Sequence, residues 1–361
     1  MISMPELLVA MSEHDASDLH LTVGAPPILR VHGHLVPLDY PRLTEDNVTD
    51  LAYSILTSEQ KERFEANLEL DFSFGVAGLS RYRVNMYHQR GAVGVAIRAI
   101  PHQAKGFEEL GLPAEICDSL CQKTKGLILF TGPTGHGKTT SMAAMVERIN
   151  QRRDVHIVTV EDPIEYLINH NKAIVNQREV GTDTRSFPAA LKYVLRQDPD
   201  VVLIGEMRDL ETIQAALTIA ETGHLTFATL HTSSCAQSID RIIDVFPPHQ
   251  QSQVRAQLSL VLEAVFNQQL IPRRDGKGRV LAIEILIVTL AIRNLIRESK
   301  IHEIYSALQV GQKYGMRTMN QSLADAYHRG LISRQEALSR TLLPDELLRM
   351  MDETPHKTGR R

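Results

Sequence analysis

Two textures of apolar and polar positions follow one another along the chain. Over residues 1–100 the apolar positions recur at helical spacing in 7–11 and 48–64, then at strand spacing in 70–74, 81–87 and 93–100. Gly75, Gly78 and Gly91 fall between those strands and predict the turns. The expectation is a small α+β domain over 1–100, followed by a Gly- and Pro-bearing linker at 101–113. From Gly126 short apolar runs alternate with helical segments, the signature of parallel βαβ units. The runs 126–130, 156–160, 201–204 and 225–230 predict buried central strands of an α/β domain over 114–288. Helical patterns alone continue from 289 to Met351, and 354–361 reads as a frayed tail.

Composition narrows this picture. At 361 residues the chain is long for one core, and a prior of roughly 150 residues per domain gives two or three. Hydrophobic residues at 43% and charged residues at 23% are enough to bury a full core. A formal charge of -4 gives no global attraction to nucleic acid, so none is expected as a partner. Cys117, Cys121 and Cys235 form neither an even disulfide framework nor a paired zinc pattern, which favours a reducing compartment. The first two lie one helical turn apart and read as packing. The amino terminus lacks a basic start followed by an apolar core. The most apolar stretch, 280–292, is interrupted by Glu284 and Thr289 and is shorter than the roughly 18 residues of a membrane span. A cytoplasmic location is expected.

The strongest chemical signal is Gly132-Pro133-Thr134-Gly135-His136-Gly137-Lys138-Thr139, followed by Thr140. It fits the eight-position phosphate-loop template and lies after a buried strand and before a helix, as that template requires. Glycines let successive N–H groups and the helix N-terminus face phosphates. Lys138 is expected to hold the β- and γ-phosphates of ATP, and the Thr139 hydroxyl to ligate Mg²⁺. His136 occupies a variable template position that contributes its backbone N–H; its imidazole need not touch phosphate, and a modest pH effect on nucleotide binding is the alternative.

Hydrolysis also needs carboxylates to hold the metal and place water. The apolar run Val201-Val202-Leu203-Ile204 leads through Gly205 into Glu206, where a Walker-B acid stands, although Asp is commoner there. Glu161, Asp162 and Glu165 emerge just after the strand expected at 156–160, so one of them orients the attacking water or they are solvated loop acids. His224 opens the strand expected at 225–230 and His231 closes it. Spacing alone leaves them structural or γ-phosphate-sensing, and no third and fourth ligand accompanies them to make a metal site. His32 and His34 receive a structural reading, as do the acids of 59–69, which read as a solvated helix face.

Taken together these motifs resemble the secretion ATPases, and among them the PilT-like retraction motors of type IV pili. The resemblance covers about 7–340 and rests on the phosphate loop, Ala16-Ser17-Asp18-Leu19-His20-Leu21, Arg81-Tyr82-Arg83-Val84-Asn85, Glu161-Asp162-Pro163-Ile164-Glu165 and Gly205-Glu206-Met207-Arg208-Asp209. It also rests on the stretch from Ala220 to Thr232 with both histidines, on 239–247, and on Ala291-Ile292-Arg293-Asn294-Leu295-Ile296-Arg297-Glu298, the most specific of the set. The resemblance implies a PAS-like N-terminal domain, a RecA-like P-loop core and a ring of six subunits. It implies that Lys138 and Thr139 bind ATP and Mg²⁺, that Glu206 assists the metal with Glu161 and Asp162 beside it, and that Glu165 activates water. It gives His224 and His231 the catalytic or γ-phosphate-sensing role, and makes Arg81, Arg83 and Arg98 arginines that reach nucleotide, at least one across a subunit boundary. His136 in place of a small polar residue and Met207 in place of Leu or Val depart from the pattern without removing a chemical group.

The function so implied is an ATP-driven motor that docks on an inner-membrane pilus platform protein and powers pilin disassembly and twitching motility. Membrane contact is then peripheral and protein-mediated, with a second retraction ATPase as a further partner. An accessory PilU-like motor is the near alternative, and a RecA-like DNA-dependent ATPase or a nucleotide-sensing scaffold the distant ones.

Overall fold

The computed structural model describes residues 2–31, 33–76, 78–100 and 105–353. His32, part of the expected linker (101–104) and the expected tail 354–361 lie outside the described residues. Internal packing divides the chain into two units, one of Met1–Gln103 with Glu165–Leu167 and one of Ala104–Ile164 with Ile168–Arg361.

In the first unit six strands among the described residues form an antiparallel sheet: β1 Ala16–Leu21, β2 Ile28–Val31, β3 His34–Pro37, β4 Glu69–Val76, β5 Ser80–Gln89 and β6 Ala92–Ile100. Their order is β3-β2-β1-β6-β5-β4. Strict alternation builds its two faces. In β5 the side chains of Tyr82, Val84 and Met86 are buried, while Arg83 and Asn85 between them are exposed. The apolar face packs against helices Met4–Glu13, Glu45–Tyr53 and Ser58–Asn67 through Leu7, Leu51 and Phe64. The single helical run expected over 48–64 is therefore two helices. Thr57 accepts the Gln60 N–H and starts the second, an N-cap signal that overrides continuous spacing. Gly75 likewise lies inside β4 rather than in a turn, whereas Gly78 and Gly91 have φ of 78° and 83° and make the turns.

The second unit carries seven strands: β7 Gly126–Thr131, β8 His156–Glu161, β9 Ile174–Glu179, β10 Val201–Ile204, β11 Leu225–Leu230, β12 Leu262–Pro272 and β13 Arg279–Ile287. They run in the order β13-β12-β7-β11-β10-β8-β9, parallel except for the antiparallel β12–β13 pair. The four expected central strands are all present, and β7, β10 and β11 are buried at every position. Helices cover both faces of the sheet, one layer gathering around Leu129, Ile204 and Ile243 and the other around Phe130, Met145 and Phe227. This is the α/β, RecA-like P-loop class anticipated from sequence, with one strand, β11, set between the phosphate-loop strand β7 and the acid-bearing strand β10. Short helices follow β13 from Leu290 to Asp352.

Candidate active site

Every parallel strand of the second unit delivers its C-terminal end to the same sheet edge, where ligands of open α/β sheets bind. The register fixes which residues meet there. Thr131 pairs with Leu230, Ala228 with Ile204, and Ile204 with Val160, so the segments after β7, β11, β10 and β8 emerge side by side.

After β7 the chain turns through Gly132, with φ of 128°, and Gly135, with φ of 78°, into helix Lys138–Arg152, whose N-cap Gly137 has φ of 83°. Gly132 is required twice over: its φ suits glycine, and a Cβ there would lie 2.3 Å from the Gln268 carbonyl oxygen. The loop ends on the N-terminus of a 15-residue helix, where backbone N–H groups and the helix dipole favour an anion. Lys138 is only 7% exposed and donates through Nζ to the carbonyls of Gly132 at 2.8 Å and Pro133 at 2.9 Å. Its ammonium thus sits within the curl of the loop. Thr139 and Thr140 are half-buried in the first turn.

Glu206 follows the fully buried β10, and its approach is held from both sides. Gly205 donates its N–H to Val160, Thr229 donates its hydroxyl to the Gly205 carbonyl at 2.6 Å, and Met207 donates its N–H to Thr229. One carboxylate oxygen, Oε1, receives both Arg208 Nε at 2.6 Å and His231 Nε2 at 3.1 Å. Burial pushes the Glu206 acid up, but the Arg208 hydrogen bond and the adjacent His231 outweigh it and hold the group below its ordinary value. The other imidazole nitrogen of His231, Nδ1, lies 3.5 Å from the Thr134 hydroxyl, the outer limit of a hydrogen bond. A neutral ring with its proton on Nε2 satisfies both contacts. His231 therefore links the phosphate loop to the acid. Beside it opens a cleft of about 580 Å³ lined by Glu206, Arg208, His231, Gln237, Asp240 and Arg241.

The sequence pattern of the type II/IV secretion system protein family matches residues 13–339. The chain belongs to that family. It is 47% identical, over 95% of its own length and 99% of the relative's, to the type IV pilus retraction ATPase PilT of Pseudomonas aeruginosa. It is 42% identical to the type IV pilus ATPase PilU of the same organism, over 92% of this chain and 87% of that one. Among solved structures, the pilus retraction motor PilT with bound ADP superimposes with a TM-score of 0.90 at 49% identity, covering 97% of this chain and all of that one.

Set in this secretion-ATPase frame, the other anticipated residues separate. His224 lies at the opposite end of β11, about 20 Å along a six-residue strand at roughly 3.3 Å per residue. Its Nδ1 faces the Ile219 carbonyl at 3.0 Å and the Thr222 hydroxyl at 3.1 Å, at the end of helix Leu210–Glu221. Within the chain it is not brought to the phosphate-loop edge, because the two histidines flank one strand. Glu161 is buried as the last residue of β8, and its Oε1 accepts from Thr159 and Gln177. Asp162 is exposed and adds its charge to the field that stabilises the Arg208 guanidinium. Glu165 is exposed and belongs to the packing of the first unit.

Arg81, Arg83 and Arg98 also belong to the first unit, on neighbouring strands β5 and β6. Arg83 and Arg98 are cross-strand partners, Arg98 donates to Asp18 at 2.7 Å, and Arg81 donates to Ser73 at 2.6 Å.

For Mg²⁺ the donor chemistry fits: a hydroxyl at Thr139 and a carboxylate at Glu206 held in its ionised form are the hard oxygen ligands that cation takes alongside phosphate oxygens and water.

Sequence reasoning missed Arg208 as a partner of the acid, and it missed β12 altogether. The run Asn267-Gln268-Gln269 breaks the apolar pattern of a central strand, yet Asn267 and Gln268 are buried. Asn267 Nδ2 donates to the Thr131 hydroxyl and the Thr232 carbonyl, and Gln268 Nε2 donates to the Ser141 hydroxyl. The residual signal was alternation, with Val265 and Asn267 on one face and Phe266 and Gln268 on the other.

Proposed function

We propose that this chain is the ATP-hydrolysing motor of a type IV pilus retraction machine, working as a homohexameric ring at the cytoplasmic base of the pilus. The observation that carries the ATPase reading is His231, which touches both the phosphate loop at Thr134 and the Walker-B acid Glu206. Lys138 and the loop N–H groups bind the triphosphate, and Thr139 and Glu206 hold Mg²⁺, which when bound neutralises charge on the β- and γ-phosphates. Loss of the γ-phosphate then changes what Thr134, His231 and Glu206 contact, and the cleft beside them senses the change. Glu165 orients the attacking water, and Arg81, Arg83 and Arg98 act on nucleotide with at least one crossing to a neighbouring subunit, so hydrolysis tracks the placement of the subunits.

Retraction rather than another secretion task is supported by 47% identity to the retraction ATPase PilT over nearly both chains, together with the segment Ala291 to Glu298. The 42% identity to PilU supports an accessory motor as the second reading. Among the described residues no helix is long and apolar enough to cross a membrane, consistent with docking through an inner-membrane platform protein. The decisive biochemical measurement is steady-state phosphate release with Mg²⁺. Lys138→Ala and Glu206→Ala should each fall at least about 100-fold below wild type, and equal rates in all three proteins overturn the site. In cells, deletion of the gene should leave piliated, non-motile bacteria that a second retraction ATPase does not rescue; rescue assigns the accessory role.

A further inference from the structure

The strand β12 runs beyond the end of β7. Their parallel pairing stops at Asn267 opposite Thr131, whereas the antiparallel pairing of β12 with β13 continues to Pro272 opposite Arg279. On the β7 side, the N–H of Leu270 therefore has no strand to bond. It donates instead to Nδ1 of His136 at 2.9 Å. A half-buried backbone N–H left without an acceptor costs free energy, and this imidazole supplies the acceptor that the missing strand does not.

Neighbouring contacts meet the loop at three of its glycines. Gly132 rests against the Gln268 carbonyl, Gly137 against the Leu270 side chain, and Arg279 of β13 donates to the Gly135 carbonyl at 3.2 Å. The Gln269 side chain donates to the Arg340 carbonyl in helix Arg334–Arg340, and Ile271 and Ala282 of the hairpin pack against Leu323 and Ala337 of the C-terminal helices.

We propose that His136 is a positioning residue for ATP: acting as a neutral acceptor, its imidazole ties the tip of the phosphate loop to the β12–β13 hairpin before nucleotide arrives. The inference rests on the reading of this loop as the ATP site. Only the tautomer protonated on Nε2 can accept through Nδ1, and a second proton turns the acceptor into a donor facing another N–H. The charged groups that face the ring are Arg340 from helix Arg334–Arg340, Arg279 from β13 and Lys138 from its own loop, all cations. Burial first, and then these cations, hold the His136 ring below its ordinary value and so favour the accepting form.

Replacement by Asn keeps an acceptor oxygen at the position of Nδ1, whereas Gln moves it to the position of Nε2 and Ala removes it. The full-length wild type, H136N, H136Q and H136A are to be titrated with a fluorescent non-hydrolysable ATP analogue from pH 8 to pH 5.5, with ATPase KM and kcat measured alongside. At pH 8 the dissociation constant should rise about fivefold in H136Q and H136A, the worth of one neutral hydrogen bond, and less than twofold in H136N, with KM moving more than kcat. As pH falls, wild-type affinity should weaken toward that of H136Q while H136N stays level. Three outcomes overturn the tether: H136Q or H136A matching H136N at pH 8, wild-type affinity tightening at low pH, which would make the ring a phosphate-binding cation, or identical pH profiles for wild type and H136N. Failure of the wild type to bind the analogue at any pH would instead remove the ATP-site reading itself.

Discussion

At the scale of single residues, Glu206 is the group whose chemistry is most constrained by its surroundings. Arg208 and His231 converge on the same oxygen, and their combined effect exceeds the cost of burial, leaving the folded-state acid below the ordinary 4.5. A depressed carboxylate contributes stability that is complete above the unfolded value and is lost only as pH falls through the folded one. Glu206→Gln should therefore melt below wild type at pH 5.5, with the gap closing as pH falls below about 4.5, as thermal scans at matched ionic strength will show. A gap that stays undiminished as the pH is taken well below that value contradicts this assignment. Turnover by wild type should likewise show no acid limb from Glu206 above about pH 5. The sequence made Glu206 legible through the apolar strand ahead of it. Arg208, two positions on, was visible in the same motif but not as its ion-pair partner, because neighbouring side chains meet only where the chain leaves the strand and curls.

At the scale of elements, the segment Ala291 to Glu298 illustrates how a motif residue is fixed by packing. It forms the helix Leu290–Arg297 with Ile292 and Ile296 buried. Arg293 donates from one nitrogen to the carbonyls of Ser259 at 2.7 Å and Leu260 at 2.6 Å, and from another to Glu263 at 2.7 Å. It thereby satisfies carbonyls that helix Pro248–Val261 leaves open at its C-terminus, where a cation also suits the dipole. Arg293→Ala should cost about 1–3 kcal/mol in denaturant unfolding, and Arg293→Lys should recover less than half, since an ammonium cannot reproduce the fork. Full recovery by lysine would show that charge alone matters. Strands made of uninterrupted apolar residues, such as β7 and β11, were plain in the sequence, as was the phosphate loop between β7 and its helix. The hairpin of β12 and β13 was not, since its buried Asn267 and Gln268 carry hydrogen bonds to Thr131 and Ser141 that no periodicity encodes. Likewise the bond from Leu270 to His136 spans 134 positions, and a local reading of the loop gave that imidazole no structural partner.

At the scale of the whole molecule, the succession of an antiparallel sheet by a mainly parallel one could be read from the change of texture near Gly126, since period-two alternation and continuous apolar runs require different sheet environments. What could not be read was that Glu165–Leu167, sequentially inside the second unit, packs with the first. Burial tells one further thing about this scale. Cys117, Cys121 and Cys235 are all free and buried, and burial foremost pushes the Cys117 thiol up to about 12, the Cys121 thiol higher still and the Cys235 thiol well above its ordinary value. Since only the thiolate is nucleophilic, a thiol reagent at pH 8 should titrate none of the three in the native protein and all three in denaturant; rapid native labelling of any one contradicts the packing described. All three thiols lie in the second unit, and the first has none. Labelling kinetics thus form a one-sided clock: they time the loosening of the nucleotide-binding half, remain silent to any fraying of the other, and allow that one half to be followed by itself without adding a single probe.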